Sequence, residues 1–223
     1  MSRFEQFTNQ WLPIIGESVI ETFQMVGISL FFSIIIGIPL GILIVLTRPG
    51  QALQNAVIYQ VSNLLINIIR SIPFIILLFF ILPFTKFIVG TTIGVKGVIV
   101  PLVIYTAPYI ARLMESALLE VQNGVIEAYT AMGIKTPSII WHVLLREARP
   151  SIILGLTIST VGLIGATAMA GMVGAGGLGD LAYRFGHLRY EEDIMYATVL
   201  ILIILVQGIQ SIGNRLAARI KKD

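Results

Sequence analysis

From Thr22 to Leu46 the chain carries no charged side chain. A helix needs about 20 consecutive apolar residues to cross the hydrocarbon of a bilayer, and this run supplies them. The rest of the 223 residues follows suit, with 56% hydrophobic and 12% charged, where soluble domains carry about 25% charged residues. The mean hydropathy is +0.90. No charged, mixed-pattern stretch is long enough for a separate soluble domain. The chain reads as an all-α integral membrane protein in one transmembrane domain, 1–223.

Five spans are predicted, at about 22–46, 58–84, 93–118, 150–173 and 194–212. In the first, Gly37 and Gly41 bracket Pro39 as a small-xxx-small pair that lets another helix approach. Residues 11–22, with Trp11 and Pro13, read as an interfacial lead. The only early positive charge is Arg3, and Glu5, Glu17 and Glu21 interrupt the segment, so a signal peptide is not expected. The second span cannot be Ile72–Phe84 alone, which is too short. It must start near Ile58, which draws Arg70 towards membrane depth, with a kink expected at Ser71–Pro73. A charge at that depth is costly and usually functional; snorkelling to the headgroups is the equal alternative. The third span contains Pro101 and Pro108.

Along the fourth span Gly162, Ala166, Ala170 and Gly174 recur every fourth residue. Thr157, Ser159, Thr160 and Thr167 add hydroxyls. Such a helix belongs at a helix interface or beside a pathway, and close packing alone explains it as well. Met169 and Met172 are read as packing. Gly174-Ala-Gly-Gly-Leu-Gly179 matches GxGxxG formally, but a dinucleotide site needs a preceding strand. A tight turn at the outer membrane face is the better reading, and Glu191–Asp193 reads as a solvated loop.

Five spans put the two ends on opposite sides. With the C-terminus inside, Arg48, Arg112, Lys135, Arg146, Arg149, Arg215, Arg219, Lys221 and Lys222 are inside. Arg3, Lys86, Lys96, Arg184 and Arg189 are outside. The positive-inside bias favours N-out, C-in. The pI near 9.3 thus reflects orientation, and nucleic acid is not an expected partner. Absent cysteines exclude disulfides and thiolate metal sites.

Chemistry is sparse. No GxxxxGK[ST] phosphate loop occurs. His142 and His187 lack companions at metal-ligand spacing, and no serine–histidine–acid set is apparent. The chain is not expected to be an enzyme, nor to bind a cofactor or metal itself. An ion-coupled carrier would need ionisable residues within its spans; apart from Arg70 almost none are expected there. Five helices are few to enclose a pathway, so the pathway is expected between two copies, with a partner supplying energy.

Between the third and fourth spans lies a loop, 121–147, with helical pattern of its own. Val125, Ala128, Tyr129 and Met132 fall at i, i+3, i+4 and i+7, on one helix face. Gly133 stands where the pattern stops, able to take the positive φ of a helix C-cap. Thr136 is the expected cap of a second short helix, with Pro137 at its first position and Ile140, Val143 and Leu144 as its apolar face. Two short amphipathic helices about a glycine hinge suit a docking surface, and the charge bias places it in the cytoplasm.

Glu127-Ala128, Gly133 and Val143-x-Leu145 resemble the EAA loop of the membrane subunits of binding-protein-dependent ABC importers. Tyr129 replaces the second Ala, and Arg146 stands where that family usually has Pro. Thr47-Arg-Pro-Gly-Gln, Arg70-Ser-Ile-Pro-Phe, Ala107-Pro-Tyr-Ile-Ala-Arg112 and Val173-Gly-Ala-Gly-Gly-Leu-Gly179 extend the likeness over about 20–215. Together they resemble the permease of methionine ABC importers. The resemblance implies a type I importer fold with a cytoplasmic coupling helix, a homodimer in a bacterial inner membrane, and import of methionine. It also implies two cytoplasmic ATPase subunits, which would hold ATP and Mg, and an extracytoplasmic binding protein or lipoprotein; lipid surrounds the whole. Glu127, Ala128, Tyr129, Met132 and Gly133 would then couple to the ATPase. An importer for another small solute, a stand-alone channel or ion-coupled carrier, and a membrane scaffold that recruits an ATPase are the alternatives.

Overall fold

The computed structural model describes residues 3–221 apart from 52, 122, 123, 125–127 and 130, with side chains from Trp11 onward. Among the described residues the regular structure is helical. Helix α1 is Arg3–Thr47, α2 Ala56–Ser71, α3 Phe74–Val89 and α4 Gly94–Leu119. Short helices α5 (Thr136–Ile139) and α6 (Leu145–Glu147) flank a π-helix, Ile140–Leu144, and lead into α7, Arg149–Gly171. Then come α8 (Gly177–Leu181), a second π-helix (Ala182–His187) and α9, Glu192–Ile220.

Among the described residues four helices are long and apolar enough to cross a membrane: Trp11–Thr47 within α1, α4, α7 and α9; the broken pair α2 and α3 makes a fifth candidate. The lead before Thr22 is continuous with the first span as one helix. The second expected span departs from a single kinked helix. It is two helices, because Pro73 has extended backbone (φ −56°, ψ 138°) and lacks the N–H that would continue α2. Asn55 caps the start of α2, its Oδ1 accepting from the backbone N–H groups of Val57 and Ile58 at 3.1 Å each.

The contacts fall into two compact units, residues 1–32, 72–105 and 160–209, and residues 33–71, 106–159 and 210–223. The first has a core of Met25 from α1, Phe74 and Leu78 from α3, Leu102 from α4 and Leu163 and Ala170 from α7. Phe74 meets Tyr105 edge to face at 5.2 Å, the preferred aromatic geometry. In the same unit the glycine turn packs against α1. Gly174, Gly176 and Gly177 have φ of +89°, +84° and +78°, which side-chain-bearing residues rarely adopt. Glu21 Oε2 accepts from the Gly177 N–H at 2.6 Å, and Thr22 Oγ1 from the Leu178 N–H at 2.9 Å. Gly174 therefore belongs to this turn and not to the helical stripe of the fourth span, which stops at Gly171. The acids after Tyr190 are also placed differently from a loop. Glu192 and Asp193 form the first turn of α9, where carboxylates favour the helix dipole.

The second unit is held by close backbone approach. A Cβ on Gly37 would lie 2.7 Å from the Ala107 carbonyl, and one on Gly41 2.6 Å from Met114 Cβ. In lipid, where apolar burial does not drive helices together, such small-residue crossings supply the packing. A second crossing sits at Gly213, where a Cβ would collide with the Thr157 side chain.

Candidate functional site

The segment between α4 and α7 belongs to the second unit. Ala128, Tyr129 and Ala131 are helical; Val125 and Glu127 lie outside the described residues. The helix ends as its sequence dictates. Gly133 has φ +75°, the Met132 N–H donates to the Ala128 carbonyl at 3.1 Å, and the Ile134 N–H donates to the Tyr129 carbonyl at 3.2 Å. That last bond, reaching five residues back across a left-handed glycine, is the Schellman closure. Lys135, extended at φ −66° and ψ 140°, takes the cap position of α5. The cap is thus one residue before Thr136, because Thr136 already has helical backbone.

Ile139, Val143 and Leu144 are buried. Leu144 joins a cluster with Val45, Met114, Leu118 and Ala148, so the segment is fixed to α1 and α4. Two large apolar side chains of the segment are open: Met132 is 64% and Trp141 70% exposed. Ala128 is exposed and Tyr129 half-buried, so the stripe read from sequence is divided between an outer and an inner side. Trp141 was not singled out by periodicity because it lies off the 140/143/144 stripe. A tryptophan beside Ile139 and Ile140 was its one signal. The hydrogen-bond ladder continues out of the segment, with Leu145 N–H bonded to the Ile140 carbonyl, Ala148 to Leu144 at 3.1 Å and Ile152 to Ala148 at 2.9 Å. The His142 ring Nδ1 lies 3.2 Å from the Ser138 carbonyl.

Arg70 lies in the last turn of α2, where a cation meets the negative end of the helix dipole. It is exposed, and its guanidinium lies 5.7 Å from the ring centre of Tyr109, within cation–π range. One helix turn along α4, Arg112 pairs with Glu115 at 2.5 Å and donates to Asn67 Oδ1 at 2.9 Å. Glu115 is buried. The expectation that Arg70 is almost alone among ionisable groups in the spans is therefore corrected, and the spacing Arg112–Glu115 was its legible sign.

On α7 the small residues divide. Ser159, Ala166 and Ala170 are buried, and the Ser159 hydroxyl donates to the Gly155 carbonyl at 2.9 Å. Thr157 and Thr167 likewise bond to their own helix, a common resolution for hydroxyls in apolar helices. Gly162 and Gly165 are exposed, with open space where a Cβ would stand; Met169 is exposed beside them.

Residues 33–222 match the family described as binding-protein-dependent transport system inner membrane component. The chain belongs to that family. A probable D-methionine transport system permease protein, MetI, of Vibrio cholerae is 45% identical over 95% of this chain and 96% of its own length. The methionine import system permease protein MetP of Bacillus subtilis is 45% identical over 81% of each chain. Among solved structures, a chain of the MetNI methionine ABC transporter, captured in inward-facing conformations, is 44% identical. It superposes with a TM-score of 0.92 over 99% of both chains. This inner membrane component is accordingly a bacterial inner-membrane protein with the all-α, type I importer permease fold, and the family match includes the Gly133 segment and α7.

Proposed function

We propose that the chain is the permease of an ATP-driven methionine importer. Two copies line the pathway between them and work with two cytoplasmic ATPase subunits and an extracytoplasmic binding protein. The observation that carries this is the likeness, over 99% of both chains, to a subunit of a methionine ABC transporter. The sequence contains no GxxxxGK[ST] loop, so ATP and Mg belong on the partner. The segment from Glu127 to Arg146 docks on it. Ala128 and Met132, with Trp141, form the outward apolar anchors that helix-in-groove recognition uses. Tyr129 faces the chain's own helices, and Gly133 sets the angle between the two short helices. The Ile140–Leu145 and Leu144–Ala148–Ile152 hydrogen bonds carry displacement into α7. Gly162, exposed on α7, faces the second copy or the pathway, whereas Ser159, Ala166 and Ala170 pack inside the protomer. Arg70 serves transport from the end of α2.

The orientation is N-out and C-in, supported by the distribution of Lys and Arg. The cysteine-free background suits a thiol test. A cysteine at Lys135 labelled by an impermeant reagent from outside intact cells overturns it. For transport, proteoliposomes holding this chain alone should take up no methionine, and those with the ATPase and binding protein should import it on ATP hydrolysis. Uptake by the bare chain down an ion gradient, or ATP-driven uptake of another solute that methionine does not compete with, defeats the reading.

A further inference from the structure

A cavity of about 980 Å³ opens in the second unit between the Gly133 segment, the start of α7 and the end of α9. That volume is at the upper end of the roughly 300–1,000 Å³ of small-molecule sites. Three cations from three segments line it: Arg146, Arg149 and Lys221. Among the described residues none of the three is ion-paired. Two carboxylates share the lining, Glu120 and Glu147, and Glu120 is engaged by the Ser151 hydroxyl. His142 also lines it, with its ring nitrogen against the Ser138 carbonyl. The lining continues from the cations onto apolar side chains, and Leu154, in the first turns of α7, is 39% exposed. Helices α7 and α9 are candidate spans, and the cavity lies where α7 begins at Arg149 and α9 ends at Ile220.

We propose that this cavity binds an anionic phospholipid, with its phosphate held by Arg146, Arg149 and Lys221 and an acyl chain running past Leu154. Guanidinium groups suit phosphate because they can donate two parallel hydrogen bonds to it. A basic pocket between spans with an apolar exit fits a lipid; a free phosphate has no use for the exit. Arg146, where the resembled family usually has proline, supplies one of the three charges. The site links the lipid to the Gly133 segment, so the coupling movement would be sensitive to the anionic lipid content of the membrane. Placing the lipid in the cytoplasmic leaflet rests on the N-out, C-in reading, whereas binding itself does not.

The test is native mass spectrometry of the purified permease–ATPase complex in detergent, titrated with phosphatidylglycerol or phosphatidylcholine. Wild type should retain phosphatidylglycerol preferentially, and millimolar inorganic phosphate should not displace it. Arg149→Gln with Lys221→Gln should weaken retention about thirtyfold, from about 1 kcal/mol per charge. Each single variant should weaken it about fivefold, which keeps the test open if the pair fails to assemble. Lys86→Gln with Lys96→Gln, outside the cavity lining, should change nothing. Wild-type retention in the cavity variants overturns the proposal. So does displacement by inorganic phosphate, which marks a soluble-anion site. Loss of ATPase co-purification with lipid retention unchanged also overturns it, and marks a protein contact instead. Thiol labelling at position 135 reports the orientation separately.

Discussion

Gly133 allows backbone strain to be separated from steric clash. Its φ is +75°, yet a Cβ built there meets nothing within 4 Å. Any cost of substitution therefore comes from the left-handed backbone and not from crowding. That conformation costs roughly 1–2 kcal/mol for an ordinary L-residue and up to about 3 kcal/mol for a strained position; asparagine tolerates it best among non-glycines. The expected order of damage is Asn, then Ala, then Val. At about 1.4 kcal/mol per tenfold, Gly133→Ala lowers the population of the native turn by about tenfold at the middle of that range, and Gly133→Val by more. The turn also carries the Ile134 N–H to Tyr129 carbonyl bond, so losing it misdirects Lys135 and α5. The assay is co-purification of the ATPase from membranes with normal permease content, together with methionine imported per ATP hydrolysed. Asn should stay close to wild type, and Val should lose docking or uncouple hydrolysis from uptake. Equal behaviour of Asn, Ala and Val would refute the backbone argument. Wild-type behaviour of Val would remove this segment from the coupling path altogether.

Three further outcomes are expected. Gly41→Val should lower the melting temperature of the solubilised protein, since its Cβ would stand 2.6 Å from Met114 Cβ and overpacking costs about 1–3 kcal/mol; Gly27→Ala, with open space around it, should not. Glu21→Ala should speed amide hydrogen exchange at Gly177 and Leu178, because the Gly177 N–H loses its acceptor at 2.6 Å, a loss of about 1–3 kcal/mol; unchanged exchange would mean the turn holds without it. Arg70→Ala should abolish uptake while the complex assembles normally. Undiminished uptake would show that the cation only rests at the headgroups beside Tyr109.

The long apolar helices were legible because a run such as Thr22–Leu46 has no charge to interrupt it, and the Gly37/Gly41 crossing because few sequence patterns besides small-xxx-small let two backbones meet. The break at Ile72–Pro73 was only half legible. Hydropathy runs unbroken through it, and Pro73 alone does not say whether a helix bends or stops. Gly174 misled for a related reason, since the every-fourth spacing continues past the point where α7 ends. Contacts distant in sequence left no local mark. Glu21 meets Gly177 across 156 residues, and nothing near Glu21 in the chain announces it. The Gly133 segment read well where backbone chemistry decides, at the glycine itself. It read less well where packing decides, as in the division of Tyr129 from Met132 and the exposure of Trp141.

Arg146 shows how one residue bears on the whole lever. A proline inside a helix removes an N–H and crowds the carbonyl four residues back, at about 3 kcal/mol or more. With arginine at this position, α6 runs from the π-helix towards α7, joined by the Ile140–Leu145, Leu144–Ala148 and Ile152–Ala148 bonds. The π-helix widens the backbone at Ile140–Leu144 without leaving it unbonded, a geometry often found at functional positions. In the proposed coupling, a push on Met132 and Trp141 then meets a soft point at Gly133 and a bonded path beyond it. Displacement passes into α7 because bending the segment after Gly133 would break the Ile140–Leu145 and Leu144–Ala148 hydrogen bonds and pull Leu144 out of its cluster with Val45, Met114 and Leu118. On that path lies Arg146, whose charge also faces the cavity shared with Arg149 and Lys221. The same side chain thus stands where the lever leaves the docking segment and where an anionic lipid would hold it.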